Sequence, residues 1–103
     1  MPIRTREEHG VLTVSLSGEI DHASARTIML TVDREVARHA PTALRVDMSA
    51  VTFMDSSGIA VILRCWRRAQ ESRTAMEVVS VPRQPWKVFS AAGLPDIIPM
   101  KGL

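Results

Sequence analysis

The chain has no tyrosine, two phenylalanines, two tryptophans and one cysteine among its 103 residues. With aromatic volume limited to Phe53, Trp66, Trp86 and Phe89, the core must be built from aliphatic side chains and methionine, and a platform for stacking nucleic-acid bases is not expected. The lone Cys65 excludes an intramolecular disulfide and any cysteine set for a metal. It suits a reducing compartment and reads as a packing residue. Long hydrophobic runs are also missing. The longest wholly apolar stretch is Ile59 to Leu63, against the ~20 residues a membrane helix requires, and Met1-Pro2-Ile3-Arg4 opens no apolar signal region. Nor does charge of one sign dominate, since 13 Lys and Arg face 11 Asp and Glu for a net charge of +2. That excess is too mild for the extended basic field of a nucleic-acid binder. These absences point to a soluble cytoplasmic protein with no membrane partner and no direct nucleic-acid partner.

What is present is ordinary globular composition, 46% hydrophobic and 23% charged, in a length that suits one domain over residues 1–103. Leu12, Val14 and Leu16 share one face of a strand, and Ile3 to Glu8 can fold back on it as an edge strand through a His9-Gly10 turn. From Ala23 to His39, Ala25, Ile28, Met29, Val32 and Val36 recur at helical spacing, with Asp21 or Ser24 able to cap the start. After Pro41, Ala43 to Met48 alternates as a second strand. A loop is expected from Ser49 to Asp55, then a helix from near Ser57 with Ile59, Ile62, Leu63, Trp66 and Ala69 inward. Thr74 to Val81 reads as a third long strand, Pro82 and Pro85 mark the start of a further helix that Gly93 ends, and Ile97-Ile98 suggests a last short strand. Strands alternating with helices predict an α/β domain with a mostly parallel sheet, the N-terminal hairpin forming an antiparallel edge. Met29, Met48 and Met76 read as core filler.

The informative stretch is Val46 to Gly58, a strand, a loop and a helix entrance. Ser56 lies where a phosphate would meet unpaired first-turn amides and the positive end of the helix dipole. Modification there would add about −1.5 to −2 charges beside Asp55 without unfolding anything. A structural alternative is that Asp55, Ser56 and Ser57 only cap the helix and Gly58 eases a tight turn.

A resemblance favours the first reading. Phe53-Met54-Asp55-Ser56-Ser57-Gly58-Ile59-Ala60-Val61-Ile62-Leu63 resembles the signature of bacterial anti-sigma-factor antagonists, the anti-anti-sigma members of the STAS domain family. Gly18-Glu19-Ile20-Asp21-His22 is similar to that family's Gly-Glu-Leu-Asp element, and Phe89-Ser90-Ala91-Ala92-Gly93-Leu94 to the end of its third helix. The resemblance implies the STAS fold, helices packed on the central sheet, and a partner-switching cycle. The unphosphorylated protein binds an anti-sigma factor that is itself a serine kinase of the histidine-kinase-like class, and so frees a sigma factor. Phosphorylation of Ser56 reverses the capture, and a metal-dependent serine phosphatase restores it. Glu19, Asp21, His22, Asp55, Ser56, Ser57 and Gly58 are then expected at the partner-facing end, with Ser57 as the neighbouring cap. No catalytic residue, cofactor or metal is implied. One departure is that Leu103 follows closely on the last expected strand, where family members often continue into a final helix.

Rival readings are weaker. Ser56 lacks a Gly-x-Ser-x-Gly elbow, and no motif brings His9, His22 or His39 beside it, so hydrolysis is not expected. Glu19 and Asp21 flank a strand end, where capping or solvated carboxylates are common. Arg64, Arg67, Arg68 and Arg73 could form a basic patch for nucleic acid or an acidic protein, but a solvated helix face accounts for them. A scaffold STAS protein of a stress-signalling complex remains an alternative function, and a transporter-attached STAS domain is disfavoured with no span preceding it.

Overall fold

In a strand successive side chains point to opposite faces. Leu12, Val14 and Leu16, then Leu44, Val46 and Met48, then Met76 and Val78 therefore turn together into the core, and all are buried. Thr13, Arg45 and Glu77 share a row on the other face. The computed structural model describes residues 2–103. Its strands are β1 (Ile3–Glu8), β2 (Val11–Ile20), β3 (Ala43–Met54), β4 (Ala75–Val81) and β5 (Met100–Gly102). The helices are α1 (His22–His39), α2 (Ser57–Glu71) and α3 (Arg83–Ala91), and a 3-10 turn at Leu94–Asp96 precedes β5. The strands lie in the order β1-β2-β3-β4-β5, with β1 antiparallel to β2 and the other pairs parallel. This is the mostly parallel α/β sheet with an antiparallel N-terminal edge that the sequence predicts.

The connections follow from local chemistry. His9 and Gly10 both have positive φ, 54° and 82°, as a two-residue type I′ hairpin turn requires, and Glu7 accepts from the Gly10 amide at 3.0 Å. Asp21 and Ser24 form a reciprocal capping box at α1, the Ser24 amide donating to Asp21 Oδ1 at 2.9 Å and the Asp21 amide to Ser24 Oγ at 3.0 Å. Helix α1 ends where Ala40 turns left-handed before Pro41. Pro85 sits in the first turn of α3, where its missing N–H has no acceptor to lose. Ala25, Ile28, Val32 and Val36 of α1 and Val61, Ile62, Cys65 and Ala69 of α2 are buried. Each fully buried aliphatic side chain contributes ~1.5–3 kcal/mol. Burial pushes the Cys65 thiol up to about 12, so it packs as a neutral side chain.

Two expectations fail at element ends. Ser49 to Met54 is not a loop but the second half of β3, because tertiary pairing with β2 carries it on, from Ser17 with Ala50 to Ile20 with Met54. A register shift after Ser15 breaks the alternation, leaving Val51 and Met54 buried three apart, a spacing no period-two pattern reveals. The last strand is not Ile97-Ile98. Those residues follow the 3-10 turn, where the Ile98 amide donates to the Leu94 carbonyl and its side chain fills the core. Strand β5 follows at Met100–Gly102, held by β4 through Val78 N–H to the Pro99 carbonyl and Leu103 N–H to the Val81 carbonyl.

Candidate functional site

Strands β2 and β3 run parallel and end together, Glu19 paired with Phe53 and Ile20 with Met54. The Asp55 amide extends the ladder by donating to the Ile20 carbonyl at 3.1 Å. The two strand-to-helix turns, Glu19-to-His22 and Asp55-to-Gly58, are thereby brought side by side. Glu19 and His22 are exposed and Asp21 is half-buried. The Ser24 amide bonding its carboxylate holds Asp21 below the ordinary carboxylate pKa.

At the second turn the capping role goes to Asp55. Its Oδ1 accepts from the Ser57 amide at 2.8 Å, which corrects the expectation that Ser57 caps α2. Ser56 occupies the N-cap position with helical φ and ψ of −64° and −15°, and its side chain makes no capping bond. It is exposed, and its hydroxyl has no partner among the described residues. Gly58 is buried, and a Cβ on it would fall inside the Met54 side chain. Its role is therefore close packing of the helix entrance on β3 rather than a turn. Of the residues expected at this end, Glu19, His22 and Ser56 are exposed, Asp21, Asp55 and Ser57 half-buried, and Gly58 buried.

Two residues at this end had no role in the sequence reading. Phe53 is 48% exposed beside Glu19, a large apolar side chain that the motif contains but whose outward direction only the β3 register reveals. Gln84, on α3, bonds both backbone polar groups of Met54, and nothing in its sequence neighbourhood signals this.

Two of the three histidines lie away from Ser56. His9 lies at the hairpin beside the start of β2, the opposite end of that strand from Ile20, and His39 contacts Glu35 at the far end of α1. The α2 arginines are partly neutralised. Arg64 bonds Asp33 of α1 at 2.7 Å, and Arg68 lies 4.0 Å from the same carboxylate. They line an open groove of about 440 Å³ shared with Arg67 and Glu71, a mixed-sign surface rather than a phosphate-binding stripe. Among the described residues no cluster of three or more His, Cys, Asp or Glu is placed to hold a metal. No helix among the described residues is long and apolar enough to cross a membrane.

The model of the STAS domain family matches residues 2–102. The chain belongs to the STAS family. An anti-sigma F factor antagonist of Paenibacillus polymyxa is 29% identical over 100 residues, covering 97% of this chain and 86% of that protein. The crystal structure of an anti-sigma factor antagonist from Mycobacterium paratuberculosis superposes with a TM-score of 0.87 at 27% identity, covering 98% of this STAS chain and 85% of that one. The phosphorylated form of the Bacillus cell-fate determinant SpoIIAA shares the fold, with a TM-score of 0.74 at 21% identity over 95% of this chain and 89% of that one.

Proposed function

We propose that this STAS protein is an anti-sigma factor antagonist whose binding is switched by phosphorylation of Ser56. The observation that carries the reading is the free Ser56 hydroxyl, exposed at the entrance of α2 while Asp55 performs the capping. A hydroxyl spent on a cap would be a poor acceptor; this one is available at no structural cost. The names of the P. polymyxa and M. paratuberculosis relatives support the same reading.

In the unphosphorylated state the surface formed by Glu19, Asp21, His22, Asp55 and Ser56, with Phe53 as an apolar anchor, docks on an anti-sigma factor that is also a serine kinase. The sigma factor is thereby released. In the reverse step Ser56 Oγ forms a bond to the γ-phosphorus of ATP as the bond to the bridging oxygen breaks. ADP leaves and the hydroxyl proton passes to a base of the kinase. The product carries about −1.5 to −2 charges beside Asp55. Like-charge repulsion and desolvation at a docked surface then cost about 3 kcal/mol, on the order of a hundredfold in affinity. A metal-dependent serine phosphatase restores binding. The protein is a ligand and a substrate in this cycle, not a catalyst, and acts in the cytoplasm where ATP is available.

The test is incubation with candidate anti-sigma kinases and ATP, followed by mass-spectrometric mapping of the phosphate. Ser56 is the expected site. Ser56→Ala should bind the kinase and resist ATP-driven release, and Ser56→Asp should bind weakly. Phosphate found mainly on another residue would remove the assignment.

A further inference from the structure

Strand β3 outruns its neighbour. It pairs with β4 only as far as Asp47 with Val79, yet continues beside β2 to Met54. Past that point the β4 side of β3 has no strand, because the chain has turned at Pro82 into α3. The Met54 side chain is wholly buried, so its backbone N–H and C=O on that side need partners. Both are supplied by one side chain. Gln84 Oε1 accepts from the Met54 amide at 2.9 Å, and Gln84 Nε2 donates to the Met54 carbonyl at 2.8 Å. The carboxamide has the same donor and acceptor as a peptide group and reproduces the two-bond exchange of a paired strand residue. Its orientation is dictated, since an N–H only donates and a carbonyl only accepts. A carboxylate at this position would set oxygen against oxygen.

We infer that Gln84 is a positioning residue for phosphoryl acceptance at Ser56, holding the end of β3 in place of a missing strand; the inference rests on the reading of Ser56 as the acceptor. Met54 is gripped by α3 on one side, and the next residue, Asp55, is tied by its amide to β2 on the other. Asp55 then fixes the Ser57 amide. The Ser56 side chain makes no capping bond and is the exposed hydroxyl of the turn, set between two neighbours whose backbone amides are anchored. An acceptor hydroxyl reacts only from a narrow range of positions, and small misplacements are costly. The clamp supplies that placement from 30 residues away in the chain.

Full-length Gln84→Met, of similar length without the carboxamide, and Gln84→Glu, an acceptor without the donor, test this. Amide hydrogen exchange needs no partner: at least a tenfold loss of protection is expected at Met54 and Ser57 in Gln84→Met, and at Ser57 in Gln84→Glu, whose carboxylate still accepts from the Met54 amide but loses the bond to its carbonyl, with cooperative thermal unfolding retained. With ATP and the serine kinase that modifies the wild-type chain, kcat should fall about ten- to hundredfold while KM for the chain changes little. If Gln84→Glu is destabilised throughout, Gln84→Met carries the test alone. Wild-type protection and kcat in Gln84→Met, or a fall in kcat that only tracks the unfolded fraction, would overturn the inference. A wild-type chain phosphorylated elsewhere would overturn the acceptor reading instead, and the exchange result would still decide whether Gln84 holds the turn.

Discussion

The two strand-to-helix turns at the site end of the sheet are built from the same residue types and use them differently. Before α1, Asp21 and Ser24 both bond the backbone, each satisfying an amide the other leaves open. Before α2, Asp55 alone does the capping and Ser56 contributes no side-chain bond. Both helices start with an amide held by a carboxylate, as first-turn donors demand. The difference lies in the serine. One hydroxyl belongs to the fold, and the other makes no bond within it.

The comparison is broken most severely at Gly58, which has no counterpart before α1. Gly58→Ala drives a methyl into the buried Met54 side chain and should cost about 2–3 kcal/mol in denaturant unfolding. Removing the second cap with Asp55→Ala should cost about 1 kcal/mol, and amide exchange should locate the loss in the first turn of α2. At the first turn, Asp21→Ala should lower Tm by about 4–8 °C near neutral pH. That difference should close in acid. The folded pKa of Asp21 is depressed, so its stabilisation is complete above the ordinary aspartate range and disappears as pH falls through the lower folded value. Thermal melts of the two proteins from pH 7 to pH 2 measure this. The smallest stability effect sharpens the contrast most. Ser56→Ala should stay within about 0.5 kcal/mol of wild type, with phosphate incorporation lost, whereas Ser24→Ala, which removes half of a capping box, should cost more. Equal costs for the two serines would mean the Ser56 hydroxyl is not free.

Much of this was legible beforehand, and the failures share a cause. The alternation in Val11–Leu16 and Ala43–Met48 and the helical spacing of Ile28, Val32 and Val36 are local signals of burial, and they read correctly. The second half of β3 did not, because Ser49 to Met54 is a strand only by virtue of pairing with β2 across a register shift. Strand β5 was missed for a similar reason. Met100-Lys101-Gly102 has little strand character of its own, and Ile97-Ile98, which does, belongs to the turn between Leu94 and Pro99.

The sequence by itself determined the helices, the first strands and the first half of β3, their alternation, the hairpin edge and the Asp-Ser-Ser-Gly stretch at a helix entrance, because each depends on side chains within a few positions of one another. Tertiary structure alone decided which of three adjacent side chains would cap α2, that Phe53 would face outward, that Gly58 was needed for contact with Met54, and that Gln84 would complete the edge of β3. Those outcomes depend on directions and distances between segments that meet only when the sheet has formed. Hydrogen bonds and close packing act over a few ångströms in space, whatever the separation along the chain.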